Sequence, residues 1–410
     1  MDKQSDEHSA PDSLVAISEW KLPASTVRRT LIEAFRHGLN QLRIGRLSTD
    51  QVFDNLPPVS PLSDAQQSRL APEPDWLEDS LGLQANLLER WKTSPDWQPF
   101  SAIVAPPGSG VPEQLMAMAD RRGWQVIVPP NDLLMTDAQA IDWWQAIDFS
   151  EPWVIPELSH FWLRHRSGLA LVRQLLIRLA RGDVSAGVFG CNSWCWAFWN
   201  HCLPGLHFSV LTPAAMDADR LGRWLSALAK VTLRENLQIR TTDAGLWVLP
   251  QDEERSGPQD GTYLRDLAAM SRGIPTVALA LWRRALHLTP DHVDDDPEQN
   301  TGTECSDSAQ GTCDGWVAPL DSLKLPALPP QPPSRSPMLI LHALLLHDGL
   351  GDDKLIQVTG LPPAGVGLAL NTLRRFELIA RGDRGWVVSP VAYPGVRRQL
   401  QSDGFPIDGF

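Results

Sequence analysis

The chain has 410 residues, 43% hydrophobic and 21% charged, with 36 Lys+Arg against 49 Asp+Glu and a formal net charge of −13. That length allows two or three domains, each able to bury its own core. The acidic balance excludes adhesion to nucleic acid through overall charge, so any such binding needs a local basic patch.

The first residues, MDKQSDEHSAPDS, show no basic start followed by an apolar stretch, so no leader peptide is expected. The longest apolar run, 338–346, is broken by His342 and is too short to span a bilayer. Five cysteines without framework spacing predict free thiols in a reducing cytoplasm. The 17 Trp cluster, as in Trp143-Trp144 and in Trp194, Trp196 and Trp199. They predict bulky core and interface filling, with base stacking or a hydrophobic partner site as the sharper alternative.

Residues 1–75 read as an arm and linker. Ser25-Thr26 ahead of Val27, Leu31, Ile32, Phe35 and Leu39 predicts an amphipathic helix, with Arg28, Arg29 and Arg36 on its other side. The Pro- and Ser-rich run 55–75 is the linker. Over 76–212, apolar runs at 102–104, 125–128, 153–155, 187–190 and 206–211 alternate with helical stretches at 81–91, 112–122 and 168–181. Strands alternating with helices predict a mainly parallel sheet covered on both sides.

Residues 213–290 read as a small helical unit, with helices at 217–230, 263–272 and 275–288. Residues 291–336 are acidic and turn-rich, then proline-rich, which predicts a tether. Cys305 and Cys313 lie in it without the nearby His pair a metal site would need. Residues 337–410 carry helices at 338–346, 354–358 and 364–376, then a hairpin around RGDRG. That order predicts a winged helix-turn-helix, with Gly360 in its turn.

The stretch SAIVAPPGSGVPEQL, 101–115, sets an apolar strand before a glycine bend and a helix. A working phosphate loop needs the bend, a lysine for the β- and γ-phosphates and a hydroxyl for Mg²⁺. Here Ala105, Gly108, Ser109 and Gly110 keep the bend. Val111 replaces the lysine, and Pro112 replaces the hydroxyl and has no N–H. After strand 153–155 come Pro156 and Glu157; a later strand ends in Asn192; and Gly273-Ile274-Pro275-Thr276 follows in the helical unit.

From about residue 81 onward the order core, helical lid, winged helix resembles the AAA+/STAND superfamily, with an origin-recognition-like core and lid. The resemblance implies an α/β fold with a P-loop NTPase-like parallel sheet core, a helical lid and a C-terminal winged helix-turn-helix. It also implies remnant roles for Glu157, as the water-activating carboxylate, and for Asn192, as the polar sensor. Val111, Pro112, Pro156 and Thr276 stand where that family handles triphosphate and metal. Each desolvated charged contact contributes roughly 1.5–3 kcal/mol, so their joint loss predicts a pseudo-ATPase without cofactor. Weak ATP or ADP binding, without tightly held magnesium, is the alternative.

The expected role is a scaffold or regulatory adaptor that binds protein and, through the winged helix, DNA. An ATP-binding switch and a DNA-binding transcriptional or defence regulator are the competing readings. Arg374, Arg375, Arg381 and Arg384 are the candidates for nucleic-acid phosphates. Against them, 338–410 carries seven Lys/Arg and seven Asp/Glu. The would-be recognition helix also begins Pro362-Pro363-Ala364-Gly365-Val366-Gly367, with no side chain able to read base edges.

Two other clusters have bland readings. Cys191, Cys195, His201 and Cys202 offer zinc-ligand residue types, but their spacing fits no finger or ribbon, and buried thiols are expected. Arg164, Arg166, Arg173, Arg178 and Arg181 read as a solvated helix face, or as a contact for an acidic partner.

Overall fold

In the computed structural model the described residues are 14–25, 60–93, 100–203, 209–233, 236–250, 261–288, 312–328 and 335–410. The arm helix expected from Thr26 onward lies outside them. The chain divides into two compact units, one of Met1–Lys21, Asp75–Ala214 and Leu325–Phe410, the other of Leu22–Pro74 and Ala215–Lys324. Among the described residues no helix is long and apolar enough to cross a membrane.

The first unit is an α/β fold on a six-stranded, mostly parallel sheet. In chain order its first elements are β1 (Leu14–Ala16), α1 (Trp76–Thr93), β2 (Phe100–Ala105), α2 (Val111–Arg122), β3 (Gln125–Val126), α3 (Asp137–Gln145) and β4 (Trp153–Ile155). They continue with α4 (Ala170–Arg181), β5 (Gly187–Asn192), α5 (Ser193–Cys202) and β6 (Val210–Pro213). The strands lie in the order β1-β6-β2-β5-β4-β3, all parallel except β1, which runs antiparallel to β6.

Every residue of β2, β4 and β5 is buried. Such continuous apolar runs mark parallel strands covered on both faces, which is why they were legible in the sequence. Two expectations shift. The strand expected at 125–128 stops at Val126, ahead of Pro129-Pro130, and the one expected at 206–211 is found at Val210–Pro213. Helix α3 has a start signal in plain view: Thr136 Oγ1 accepts from Gln139 N at 3.3 Å, and Gln139 Oε1 accepts from Thr136 N at 2.9 Å.

The same unit ends in α6 (Ser336–His347), α7 (Asp352–Thr359), α8 (Pro363–Arg375), β7 (Ile379–Gly382), β8 (Gly385–Val388) and α9 (Tyr393–Ser402). Gly360 caps α7 in the left-handed region, φ 68°, where a Cβ is disfavoured. Helix α6 is apolar all round, and each residue from Pro337 to His347 except Leu339 is buried. A helix apolar on every face needs cover on every face. It packs on α7 and α8 on one side and on α5 on another.

The second unit contains the helices Asp64–Leu70, Ala218–Leu233, Tyr263–Met270 and Pro275–Ala285. It also holds a four-stranded sheet, in the order Ser60–Pro61, Leu286–Leu288, Thr312–Val317, Asn236–Thr241. The sequence pattern predicts a mostly helical unit here and places Thr312–Val317 within the tether. That segment pairs in parallel with Asn236–Thr241. A strand containing Asp314 and Gly315 has weak intrinsic preference, and its partner is remote in sequence, so pairing context rather than propensity forms it.

Candidate functional site

The phosphate-loop segment leaves β2 at Ala105 and enters α2 at Val111. Gly108 and Gly110 adopt φ 80° and 79°, so the predicted bend is present. Its N–H groups are largely committed. Ser109 N donates to Pro106 O at 3.2 Å, and Val111 N donates to Ser109 Oγ at 3.4 Å. Pro112 has none to offer. Ser109, Gly110 and Val111 are buried. The ring of Trp76, first residue of α1, lies so close to Gly110 that a Cβ there would overlap it. An indole therefore fills the space beside the Gly110 α-carbon.

Strand β5 lies between β2 and β4, which brings the ends of all three together. Glu157 follows β4, and Asn192 ends β5. Glu157 Oε1 accepts from Ser159 N at 2.8 Å and from Asn192 N at 2.9 Å. Burial raises its pKa above the ordinary 4.5, Asp348 adds to that, and the hydrogen bonds from Ser159 and Asn192 act against it. Asn192 Oδ1 caps α5 through Trp194 N at 2.9 Å, and its Nδ2 donates to Leu345 O at 2.6 Å. Both side chains thus serve main-chain groups, Asn192 across 153 residues of sequence.

Leu345 belongs to α6, so the C-terminal segment closes over the strand ends. Past α6, Asp348 sits 3.4 Å from His160 Nε2, and Leu350 exchanges main-chain bonds with Trp386 at 3.0 and 2.9 Å. Arg384, in the hairpin turn, is half-buried within electrostatic range of Asp348 and Glu157. Glu113, in the first turn of α2, lies within range of Asp348 and Asp383. The hairpin turn therefore faces the loop region, and an arginine from it supplies positive charge beside Glu157.

Arg164 pins the same junction. Its N donates to His347 Nε2 at 3.3 Å, its Nη2 to Val358 O at 3.2 Å, and its Nη1 lies 3.3 Å from His342 Nδ1. His342 Nε2 is 3.2 Å from Pro406 O. A guanidinium can only donate and a carbonyl can only accept, so His342 is neutral with its proton on Nε2. Burial, then the Arg164 charge, lowers its pKa to about 4.

The final residues complete the seam. The Asp408 carboxylate is buried and accepts from the Ser193 hydroxyl and from the Arg397 guanidinium. Trp194 Nε1 donates to Tyr393 Oη at 3.1 Å, and the Trp162 ring is 4.7 Å from that of His347. Trp162 and Trp194 are thus seam residues, as the packing reading of the clustered tryptophans anticipated. Cys191 and Cys195 are buried, and burial pushes both thiols up, which disfavours the reactive thiolate; Cys202 is exposed.

Ser109 N and Val111 N are thus used within the loop, Trp76 takes the space beside the Gly110 α-carbon, and the amide of Asn192 is held by Leu345. Positions 111, 112 and 156 are Val, Pro and Pro, with neither charge nor hydroxyl.

The four candidate arginines separate. Arg374 and Arg375 are exposed in the last turn of α8. Arg381 is exposed on β7, its guanidinium 3.8 Å from the centre of the Trp386 ring. Arg384 is turned toward the strand ends. Arg173 pairs with Asp137 at 2.8 Å, and Arg178 Nη1 donates to Trp144 O at 2.7 Å, so the presumed solvated face is partly engaged. Thr276 is the second residue of its helix, in the second unit. Sequence reasoning missed Trp76, Leu345, Asp348 and Asp408, whose signal is contact across long sequence separations.

No protein-family model and no curated protein matches the chain. Solved structures that resemble it include the RuvB Holliday junction branch migration motor of Thermotoga maritima. It is 14% identical over 80% of this chain and 95% of that one, with a TM-score of 0.31. Others are katanin, 14% identical over 62% and 82% with TM-score 0.29, and the ORC2 protein of Aeropyrum pernix, 11% identical over 86% and 98% with TM-score 0.29. At such scores the functional reading rests on the chain's own geometry.

Proposed function

We propose that this is a non-catalytic, AAA+-like cytoplasmic protein, a pseudo-ATPase acting as scaffold or regulatory adaptor for a protein partner. The observation that carries this is the closure of the remnant nucleotide edge by the chain itself. Trp76 lies on Gly110, Leu345 holds Asn192, and Glu157 is committed to two main-chain donors. Phosphoryl transfer depends on positioned charge and an open path for the attacking water. Here the Glu157 carboxylate is turned to main-chain donors, and positions 111 and 156 carry no charge. The test is titration of the purified chain with ATP and ADP, with and without Mg²⁺, together with a turnover assay. The expected result is no saturable binding in the micromolar range and no turnover above background. Micromolar Mg-ATP binding with turnover overturns the reading.

Two other readings each have one supporting observation. The positive φ at Gly108 and Gly110 favours an ATP-binding switch, which would require Trp76 and α6 to move away. The order of α6, α7, α8 and the hairpin, with exposed Arg374 and Arg375, favours a winged-helix DNA-binding regulator. The inward setting of Arg384 and the apolar start of α8 weigh against duplex recognition.

A further inference from the structure

The hairpin β7–β8 has one edge that no strand among the described residues covers. Its register pairs Arg381 with Trp386 and Ile379 with Val388. Trp386 commits both its main-chain groups to Leu350, on the side away from β7. In an antiparallel pair, residues directly opposite each other either both point inward or both point outward. Arg381 therefore turns its own N–H and C=O to the outer edge of β7, and so, two residues back, does Ile379. Ala380, Arg381 and Gly382 are exposed along that edge. An open edge of this kind is a template for another strand.

A groove of about 430 Å³ runs beside it, lined by Leu370, Asn371 and Arg374 of α8, by Ile379 and Arg381 of β7, and by the carboxylate Asp352 at the start of α7. Its cations are not idle arms. Arg381 stacks on the Trp386 ring, and that indole is anchored by Nε1 donating to Asp352 Oδ1 at 2.7 Å. A guanidinium held in this way loses less freedom on meeting a carboxylate. Arg374 and Arg381 outnumber Asp352 in the groove, so its charge complements a strand whose carboxylates fall on that face at every second residue.

We propose that the outer edge of β7 is a docking strand for an extended acidic segment of a partner protein. The segment adds beside Ile379–Arg381, with every second side chain, a carboxylate, turned to Arg374 and Arg381 and the apolar side chains between them on the opposite face. The inference rests on the adaptor reading only in naming that partner's chemistry, and it is independent of the state of the loop. Because the whole chain carries −13, the attraction is local and weakens with salt.

The experiment measures fluorescence anisotropy of a short labelled peptide of alternating Val and Glu against the full chain. Its arms are the same peptide with alternate amides N-methylated, an alternating Val-Lys peptide, and a labelled DNA duplex. Saturable binding of the acidic peptide is expected, weakened about tenfold or more in Arg374→Glu and in Arg381→Glu, roughly one charged contact each. Arg381→Pro, which removes an outward N–H and no bond within the hairpin, weakens it too. N-methylation does the same on the unaltered chain, so a folding defect cannot mimic the result. Equal binding of the methylated peptide, absence of saturation, or duplex binding lost in Arg381→Glu each overturns the proposal. The nucleotide titration is scored separately, so one reading fails without the other.

Discussion

Replacing Glu157 distinguishes a catalytic carboxylate from a structural one. Its Oε1 is the acceptor for two buried donors, Ser159 N at 2.8 Å and Asn192 N at 2.9 Å. Glu157→Ala orphans both, and an unsatisfied buried donor costs about 1–3 kcal/mol. Part of that is offset, because the removed carboxyl is disfavoured in its charged form by burial and by Asp348. A net loss of about 2–4 kcal/mol is expected. Glu157→Gln keeps an acceptor oxygen in place and removes the charge that Asp348 opposes, so its cost stays under about 1 kcal/mol. The assay is urea unfolding at neutral pH, with fluorescence and circular dichroism compared for coincidence and ATP turnover measured in parallel. A hydrolytic role predicts the reverse: both variants lose turnover and neither loses much stability. Gln as costly as Ala, or turnover that Gln abolishes, refutes the reasoning.

Asp408→Ala leaves the Arg397 guanidinium buried without its carboxylate, and breaking such a pair costs about 3–5 kcal/mol. Urea unfolding should show that loss, and a double variant with Arg397→Met should recover much of it; a loss under about 1 kcal/mol contradicts the seam as described. The seam should also respond to acid. The pKa of His342 falls from 6.5 to about 4 on folding, so the unfolded chain binds the extra proton between those values. Its contribution is complete above pH 6.5 and is lost as pH falls through about 4, roughly 3 kcal/mol at about 1.4 kcal/mol per unit. His347 acts in the same direction, whereas Glu157, whose pKa is raised, contributes the opposite way as it is protonated. Unfolding midpoints followed through this range should fall with pH, and His342→Gln should flatten the slope; an unchanged slope rules out His342 as its source.

The sequence alone determined the parallel core. Buried strands such as 100–105 and 153–155 are apolar on both faces, and the glycine bend, the capped helices and the RGDRG hairpin carry local signals that need no partner. It also determined that positions 111, 112 and 156 carry Val, Pro and Pro, with neither charge nor hydroxyl. The tertiary structure decided what those positions do instead. That Trp76 covers Gly110, that Leu345 takes the amide of Asn192, and that Asp408 meets Ser193 and Arg397 are contacts across tens to hundreds of residues. The strand Thr312–Val317 belongs with them, since its own composition gives it no period. Periodicity and capping are written in neighbouring residues, whereas docking depends on which surfaces remain apolar once the local elements exist. Only the packed chain brings those surfaces together.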